Sequence, residues 1–274
     1  MFLDILIPVL VLAGVAGLCA VLLTVSSAFF GVKEDERAAE LRECLPGANC
    51  GACGYSGCDG YAKALSEGKT DNVSLCIPGG DGTAKRLGEI MGIEAGDVVE
   101  RVAYVACNGS CLPEERKYDY DGPKTCKSAN MNYSGDRLCT YSCLGYGDCV
   151  KVCPRDAICI TDKNIAQIDP RKCIGCGLCA NICPNHIIKL VKDTERVVVK
   201  CSNHSKGAEV RKYCANGCIA CKKCEKSCPE GAITVIDNLA VIDYDKCVGC
   251  GICKKVCPVG VIHEGSFKCG AHFE

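Results

Sequence analysis

The sequence has no tryptophan, only four histidines and an aromatic content of 5%. Large aromatic side chains therefore contribute little to any core. Charge is almost balanced, with 32 Lys and Arg against 33 Asp and Glu and a net charge of −1. No basic surplus exists to neutralise phosphates, which excludes a nucleic-acid partner. There is no strand–GxGxxG–helix unit and no P-loop, so nucleotide chemistry has no home on this chain. "GGDG" at Gly79 reads as an isolated turn, not a phosphate cradle.

What the sequence has is cysteine: 29 in 274 residues, about 11%. Taking these 29 out of the 48% hydrophobic fraction leaves about 37%, much of it in the first thirty positions. The remainder is poor in ordinary core residues, as in small domains held together by metals or cross-links. Three chemistries use thiols at this density. Disulfides need an oxidising compartment. Structural zinc usually takes two close pairs separated by a loop. Iron–sulfur clusters take four thiolates, three of them from one tight loop.

Residues 5–30 carry no charge over 26 positions. At about 1.5 Å per residue a helix of that length exceeds the hydrocarbon core of a bilayer. No Lys or Arg precedes the run, and it is long for a signal peptide, so a retained membrane anchor is favoured over a cleaved leader. Lys33 and Arg37 follow it. "AGVAG" (13–17) spaces small residues four apart, which permits a close membrane partner helix. Cys19 reads as a small apolar residue.

Aligned with itself at an offset of 75, the chain superposes Cys126, Cys139, Cys143, Cys149 and Cys153 on Cys201, Cys214, Cys218, Cys224 and Cys228. At an offset of 74, Cys173, Cys176, Cys179 and Cys183 fall on Cys247, Cys250, Cys253 and Cys257. This is a duplicated module. C-x2-C-x2-C-x3-C-P occurs at Cys173, Cys218 and Cys247. Three thiolates at this spacing wrap one cubane, and the fourth ligates a neighbouring cluster. Zinc needs only pairs, and disulfides need no three-residue rhythm.

The pattern assigns Cys218, Cys221, Cys224 and Cys257 to one cluster, and Cys228, Cys247, Cys250 and Cys253 to another. Cys153, Cys173, Cys176 and Cys179 form the matching set in the first module. The remaining site is irregular, because Tyr146 stands where Cys221 stands in the repeat. Cys143, Cys149 and Cys183 stay in register, with Cys139 as a candidate fourth ligand or a three-iron cluster as the alternative. The coarse expectation is a cysteine loop, a short helix after each Cys-Pro and then a hairpin, twice per module. Asp237-Asn238 forms a turn in "AITVIDNLAVID". Cys159 is read as a core position of a strand.

Between the apolar run and the modules, "LPGANCGACGYSGC" supplies Cys50, Cys53 and Cys58, with Cys76 further on. Interleaved glycines let backbone N–H groups approach anionic sulfur, and "CDGYAKALSEGK" reads as a short helix. A zinc knuckle is the competing reading. Cys107, Cys111 and Cys126 form a looser set that, with Cys139, Cys201 or Cys214, holds another cluster or else a mixture of free thiols and a redox pair. Five cluster sites result, a sixth is open, and the thiol count sets a ceiling of seven. Cys44 and Cys269 are unassigned.

The expected fold class is α+β. An N-terminal single transmembrane helix (1–32) precedes a small 4Fe-4S domain (33–100) and a cysteine-containing connector (101–125). Tandem bacterial two-cluster ferredoxin-like modules (126–195 and 196–266) and a tail (267–274) follow.

The apolar run followed by "LPGANCGACGYSGC" and tandem ferredoxin motifs resembles the B subunit of the Rnf complex, in its long cysteine-rich form. The resemblance covers nearly the whole chain. It implies an electron-transfer subunit of a membrane-bound, Na+- or H+-translocating ferredoxin:NAD+ oxidoreductase, taking electrons from soluble ferredoxin through several [4Fe-4S] clusters to membrane partners. NAD- and flavin-binding partners would be other subunits, and the bulk of the chain would face the cytoplasm. The alternatives are an electron-input subunit of a membrane hydrogenase or reductase, and a zinc-stabilised interaction protein.

Overall fold

The computed structural model describes residues 2–30, 35–96, 98–109, 116–194 and 197–264, with side chains in the first stretch described at 7, 10 and 12–26. The apolar run forms one unbroken helix, α1 (Phe2–Phe30). Leu10, Leu12, Val15, Leu18, Leu22 and Leu23 lie exposed along it. Counting the described residues alone, no helix is long and apolar enough to cross a membrane. Lys33 and the tail from 267, with Cys269, lie outside the described residues.

A small helical unit comes next: α2 (Glu36–Cys44), α3 (Cys58–Ser66) and α4 (Gly80–Met91). Asp35 caps α2 by accepting from the Arg37 N–H, and Gly92, at φ 70°, ends α4 in the left-handed conformation glycine adopts most easily. Leu41, Leu65, Leu87 and Tyr61 are almost wholly buried between the helices. Each such side chain is worth about 2 kcal/mol of burial, so this unit has a conventional core. "GGDG" is not an isolated turn: Gly80-Asp81-Gly82 opens α4, and the Asp81 carboxylate accepts from the Val98 N–H at 2.9 Å.

The rest of the described chain alternates short strands with one-turn helices. The strands are β1 (Arg101–Val105), β2 (Ile158–Ile160), β3 (Ala166–Ile168), β4 (Ile188–Lys192), β5 (Val197–Val199), β6 (Ile233–Ile236), β7 (Leu239–Ile242) and β8 (Ile262–Glu264). Among the described residues they form four antiparallel pairs: β1–β4, β2–β3, β5–β8 and β6–β7. Each module thus has one inner hairpin, not two. Its last strand pairs instead with a strand upstream of its cysteine loops. Arg101–Val105 falls in the segment expected to be a connector, yet it completes the first sheet. Asp237 and Asn238, at φ 47° and 62°, turn β6 into β7 as the sequence suggested. Cys159 is exposed rather than core, because the period-2 alternation of β2 buries Ile158 and turns its neighbour out.

The helices also differ from expectation. α6 (Asp148–Lys151), α7 (Leu178–Ile182), α9 (Lys223–Lys226) and α10 (Ile252–Val256) precede the Cys-Pro pairs instead of following them. α5 (Cys126–Met131) and α8 (Gly207–Val210) lie upstream of the first cysteine loop of each module. The reason for the difference is steric. A residue before proline is pushed out of the helical region, and Cys183 and Cys257 are extended, at ψ 112° and 115°.

Candidate metal centres

The four cysteine loops share one backbone. Positions two and four after the first cysteine have positive φ in each: Gly145 and Gly147, Gly175 and Gly177, Ala220 and Lys222, Gly249 and Gly251. Ala220 and Lys222 adopt at a cost a conformation that glycine takes freely. The loops are equally tight at Gly145 and Gly175, where an added Cβ would stand 2.3 Å from the Asn164 and Arg101 carbonyl oxygens. In each loop the fourth position caps a one-turn helix that carries the third cysteine. The loop around Tyr146 keeps this conformation although a cysteine is missing from it.

The thiols gather in sets, each named below by its distant fourth member. Around Cys76, burial pushes the thiol up to about 11, and Cys58, Cys50 and Cys53 add to it. Cys58 opens α3, with its N–H held by Asn49 Oδ1 at 2.8 Å. At the Cys153 set, burial and then Cys173, Cys176 and Cys153 drive Cys179 up to about 12. At the Cys257 set, Cys218, Cys221 and Cys257 act on Cys224, whose thiol is pushed to about 11 chiefly by burial. At the Cys228 set, Cys228, Cys247, Cys250 and Cys253 line one pocket.

The irregular set is completed differently from the sequence reading. Cys126, not Cys139, joins Cys143, Cys149 and Cys183 around one pocket. Burial, then Cys143, Cys126 and Cys183, push Cys149 up to about 12. The cause lies in an insertion. Cys139 follows Cys107 by 32 residues, whereas Cys214 follows Cys201 by only 13. The added segment packs Tyr120, Ala129 and Leu144 together over the loop and carries Cys126 in at the start of α5. Tyr146 is drawn into that segment: its hydroxyl donates to Asp136 Oδ2 at 3.0 Å, and its ring meets Tyr120 edge-on. Asp136 is fully buried and also accepts from Arg116 at 2.7 Å. The signal available in the sequence was the pairing of one cysteine lost from a loop with one cysteine gained in an insertion.

Cys139 lies elsewhere, lining a pocket with Cys107, Cys201 and Cys214. The repeat register changes accordingly. Cys107, two residues beyond β1, is the counterpart of Cys201, two residues beyond β5; Cys126 is not. Cys111 lies outside the described residues. Cys19 and Cys159 are exposed and belong to none of these sets, and Cys44 packs at the edge of the helical core.

The donor chemistry fits iron–sulfur clusters. Zinc sits about 2.3 Å from each sulfur and draws its thiols almost into contact. Among the described residues no three Cys, His, Asp or Glu side chains converge closely enough for one ion. At the Cys183 and Cys228 sets the thiols instead surround voids, as a polynuclear group requires. Backbone N–H groups point at their sulfurs: Ala157 at Cys153 (3.3 Å), Ala232 at Cys228 (3.3 Å), Ala103 at Cys173 (3.4 Å) and Ala166 at Cys143 (3.4 Å). Such bonds favour the thiolate and fix its orientation. Iron takes its cysteines as thiolates, so loading these sites with metal releases protons.

Three family descriptions match the chain: an Fe-S cluster domain over residues 45–78, a 4Fe-4S binding domain over 166–189 and a 4Fe-4S dicluster domain over 217–261. The chain is 44% identical over 243 residues to the B subunit of the Na(+)-translocating ferredoxin:NAD(+) oxidoreductase complex of Acetobacterium woodii, covering 88% of this chain and 72% of that protein. It is 39% identical to the B subunit of the ion-translocating oxidoreductase complex of Methanosarcina acetivorans, covering 86% and 89%. Identity to the B subunit of the proton-translocating ferredoxin:NAD(+) oxidoreductase complex of Clostridium ljungdahlii is 37%, covering 74% and 72%.

Proposed function

Because the chain belongs to the family of B subunits of ion-translocating oxidoreductase (Rnf) complexes, we propose a specific course for the electron transfer that defines this iron–sulfur subunit. The chain is one subunit of an oxidoreductase complex, and its 4Fe-4S domains carry the relay. The proposed ligand sets are Cys50, Cys53, Cys58 and Cys76; Cys153, Cys173, Cys176 and Cys179; Cys126, Cys143, Cys149 and Cys183; Cys218, Cys221, Cys224 and Cys257; and Cys228, Cys247, Cys250 and Cys253. Each would hold a four-iron cluster, whose chemistry is reversible one-electron transfer. The chain's own residues bind the iron, aim N–H groups at sulfur and exclude water.

One observation carries the order of the sites. Cys50, in the helical unit, is first among the charges acting on Cys176, after burial. The Cys76 and Cys153 sets are therefore neighbours, which supports an order of sites running from the second module through the first to the helical unit. Soluble ferredoxin is the proposed electron source, and other subunits of the complex are the destination. Residues 5–30 are proposed as a single-pass anchor that leaves the bulk of the chain in the cytoplasm; 26 uncharged positions in one continuous helix support this. Relatives of this subunit are named for sodium and for proton translocation, and ion passage is proposed to lie on other subunits.

The test is to purify the complex anaerobically with and without this subunit and measure ferredoxin-dependent NAD reduction. Loss of that activity with retention of NADH oxidation by an artificial acceptor is expected. Full activity without the subunit would refute the reading. Alkaline carbonate extraction of membranes before and after removal of residues 1–32 checks the anchor.

A further inference from the structure

Once the five proposed sets are filled, two further cysteines of the first module and two of the second occupy the same two places. Cys107 and Cys201 stand two residues beyond a closing strand. Cys139 and Cys214 stand four residues before the first cysteine of a cluster loop, Cys143 or Cys218. All four line one pocket between the modules. We infer that this pocket is a sixth [4Fe-4S] site, held by two thiolates from each module, which joins the two modules into one relay. The inference rests on the electron-transfer reading above.

The surroundings are those of a ligand site. Asn203 is buried and donates from its side chain to Cys139 Sγ at 3.1 Å and from its backbone to Cys201 Sγ at 3.4 Å. The Asn203 amide also donates to the Tyr213 hydroxyl, which holds it in place. Backbone comes close to the fourth sulfur: a Cβ at Gly109 or Gly217 would lie 3.3 or 3.4 Å from Cys214 Sγ. The modules are fastened beside the pocket, with Asn216 donating to the Asn108 carbonyl at 3.0 Å and Ser202 to the Ala106 carbonyl at 3.1 Å.

Position gives the site its role. On one side the N–H of Cys218, a member of the Cys257 set, donates to Cys201 Sγ at 3.4 Å. On the other, Ser142, adjacent to Cys143 of the Cys183 set, donates from its hydroxyl to the Cys139 carbonyl at 2.8 Å. The pocket therefore stands between the two modules' nearest clusters. Its redox step is the gain of one electron from one neighbour and the loss of one to the other, with reduced ferredoxin as the source, and no bond is made or broken. The three family matches leave all four cysteines outside their limits.

The experiment is an iron, zinc and acid-labile sulfide count on the anaerobically purified full chain, beside the Cys139→Ser/Cys214→Ser double variant. Six clusters' worth of iron and sulfide in the unmutated chain, falling by about four iron and four sulfide in the variant, is expected. The unmutated count stands whether or not the variant folds. Five clusters' worth, or zinc in the place of the sixth, overturns the inference and leaves the electron-transfer reading intact. Absence of labile sulfide altogether overturns both.

Discussion

The backbone N–H of Lys127 donates to the carboxylate of Asp148 at 3.1 Å. This bond ties the first turn of α5 to the first turn of α6 and sets Cys126 beside Cys149. A segment inserted into one module thereby supplies the thiol that its cluster loop lacks.

Replacing Cys126 with serine should remove or convert only the Cys183-set cluster. Electron paramagnetic resonance would show the near-isotropic signal of an oxidised three-iron centre, or the loss of one four-iron spectrum. Cys139→Ser should leave that spectrum unchanged. The reverse outcome would restore Cys139 as the fourth ligand.

Asp148→Ala removes the acceptor for Lys127 without touching a ligand. The cluster at Cys126 should then bleach faster under a chelator, while those of the second module bleach at their usual rate. Visible absorbance followed over time in each variant provides the comparison. Equal bleaching rates in variant and parent would show that the bond does not position Cys126.

Tyr146→Phe deletes one hydrogen bond to a buried carboxylate that keeps its Arg116 partner. A loss of about 1 kcal/mol is expected in anaerobic thermal unfolding, with no change in the cluster spectra. A spectral change would instead make the phenol a ligand.

Gly175→Ala puts a Cβ into the Arg101 carbonyl at a position with φ 65°. The left-handed conformation alone costs about 1–2 kcal/mol, and the clash falls on backbone, so the start of β1 must shift. Gly231→Ala, at φ 60° with open space around it, should show only the conformational cost. Hydrogen exchange at Val102 and Tyr104 distinguishes them, with deprotection expected in the first variant alone.

Stripping iron should unfold the two modules before the helical unit. Cysteines make up a large share of both module cores, beside short strands, and metal binding there supplies folding free energy. The helical unit retains Leu41, Leu65, Leu87 and Tyr61. Exchange protection that persisted longest in β6 and β7 would contradict this.

The loops were legible in the sequence because three thiolates around one cubane demand fixed spacing, and the duplicated spacing survives in the letters. The proline after each fourth cysteine was legible as a stop, but it was placed before a helix that in fact it ends. Long-range partners were not legible. Pairing of Arg101–Val105 with Ile188–Lys192 crosses the whole first module, and no local pattern marks it. Cys107, Cys139, Cys201 and Cys214 carried no cluster spacing of their own, because their common feature is a position relative to strands whose ends only the fold reveals. A fixed offset of 75 matched Cys126 to Cys201 and so concealed the insertion.

Each ligand set is completed by a cysteine later than the rest, and these completing positions fall in chain order at 76, 179, 183, 214, 253 and 257. A ribosome releases the chain from its N-terminus. The binding sites therefore become fillable one after another during synthesis, beginning nearest α1, and the junction waits until the second module has begun to emerge. Sealing of that second module waits longer still, until residue 264 completes β8 against β5.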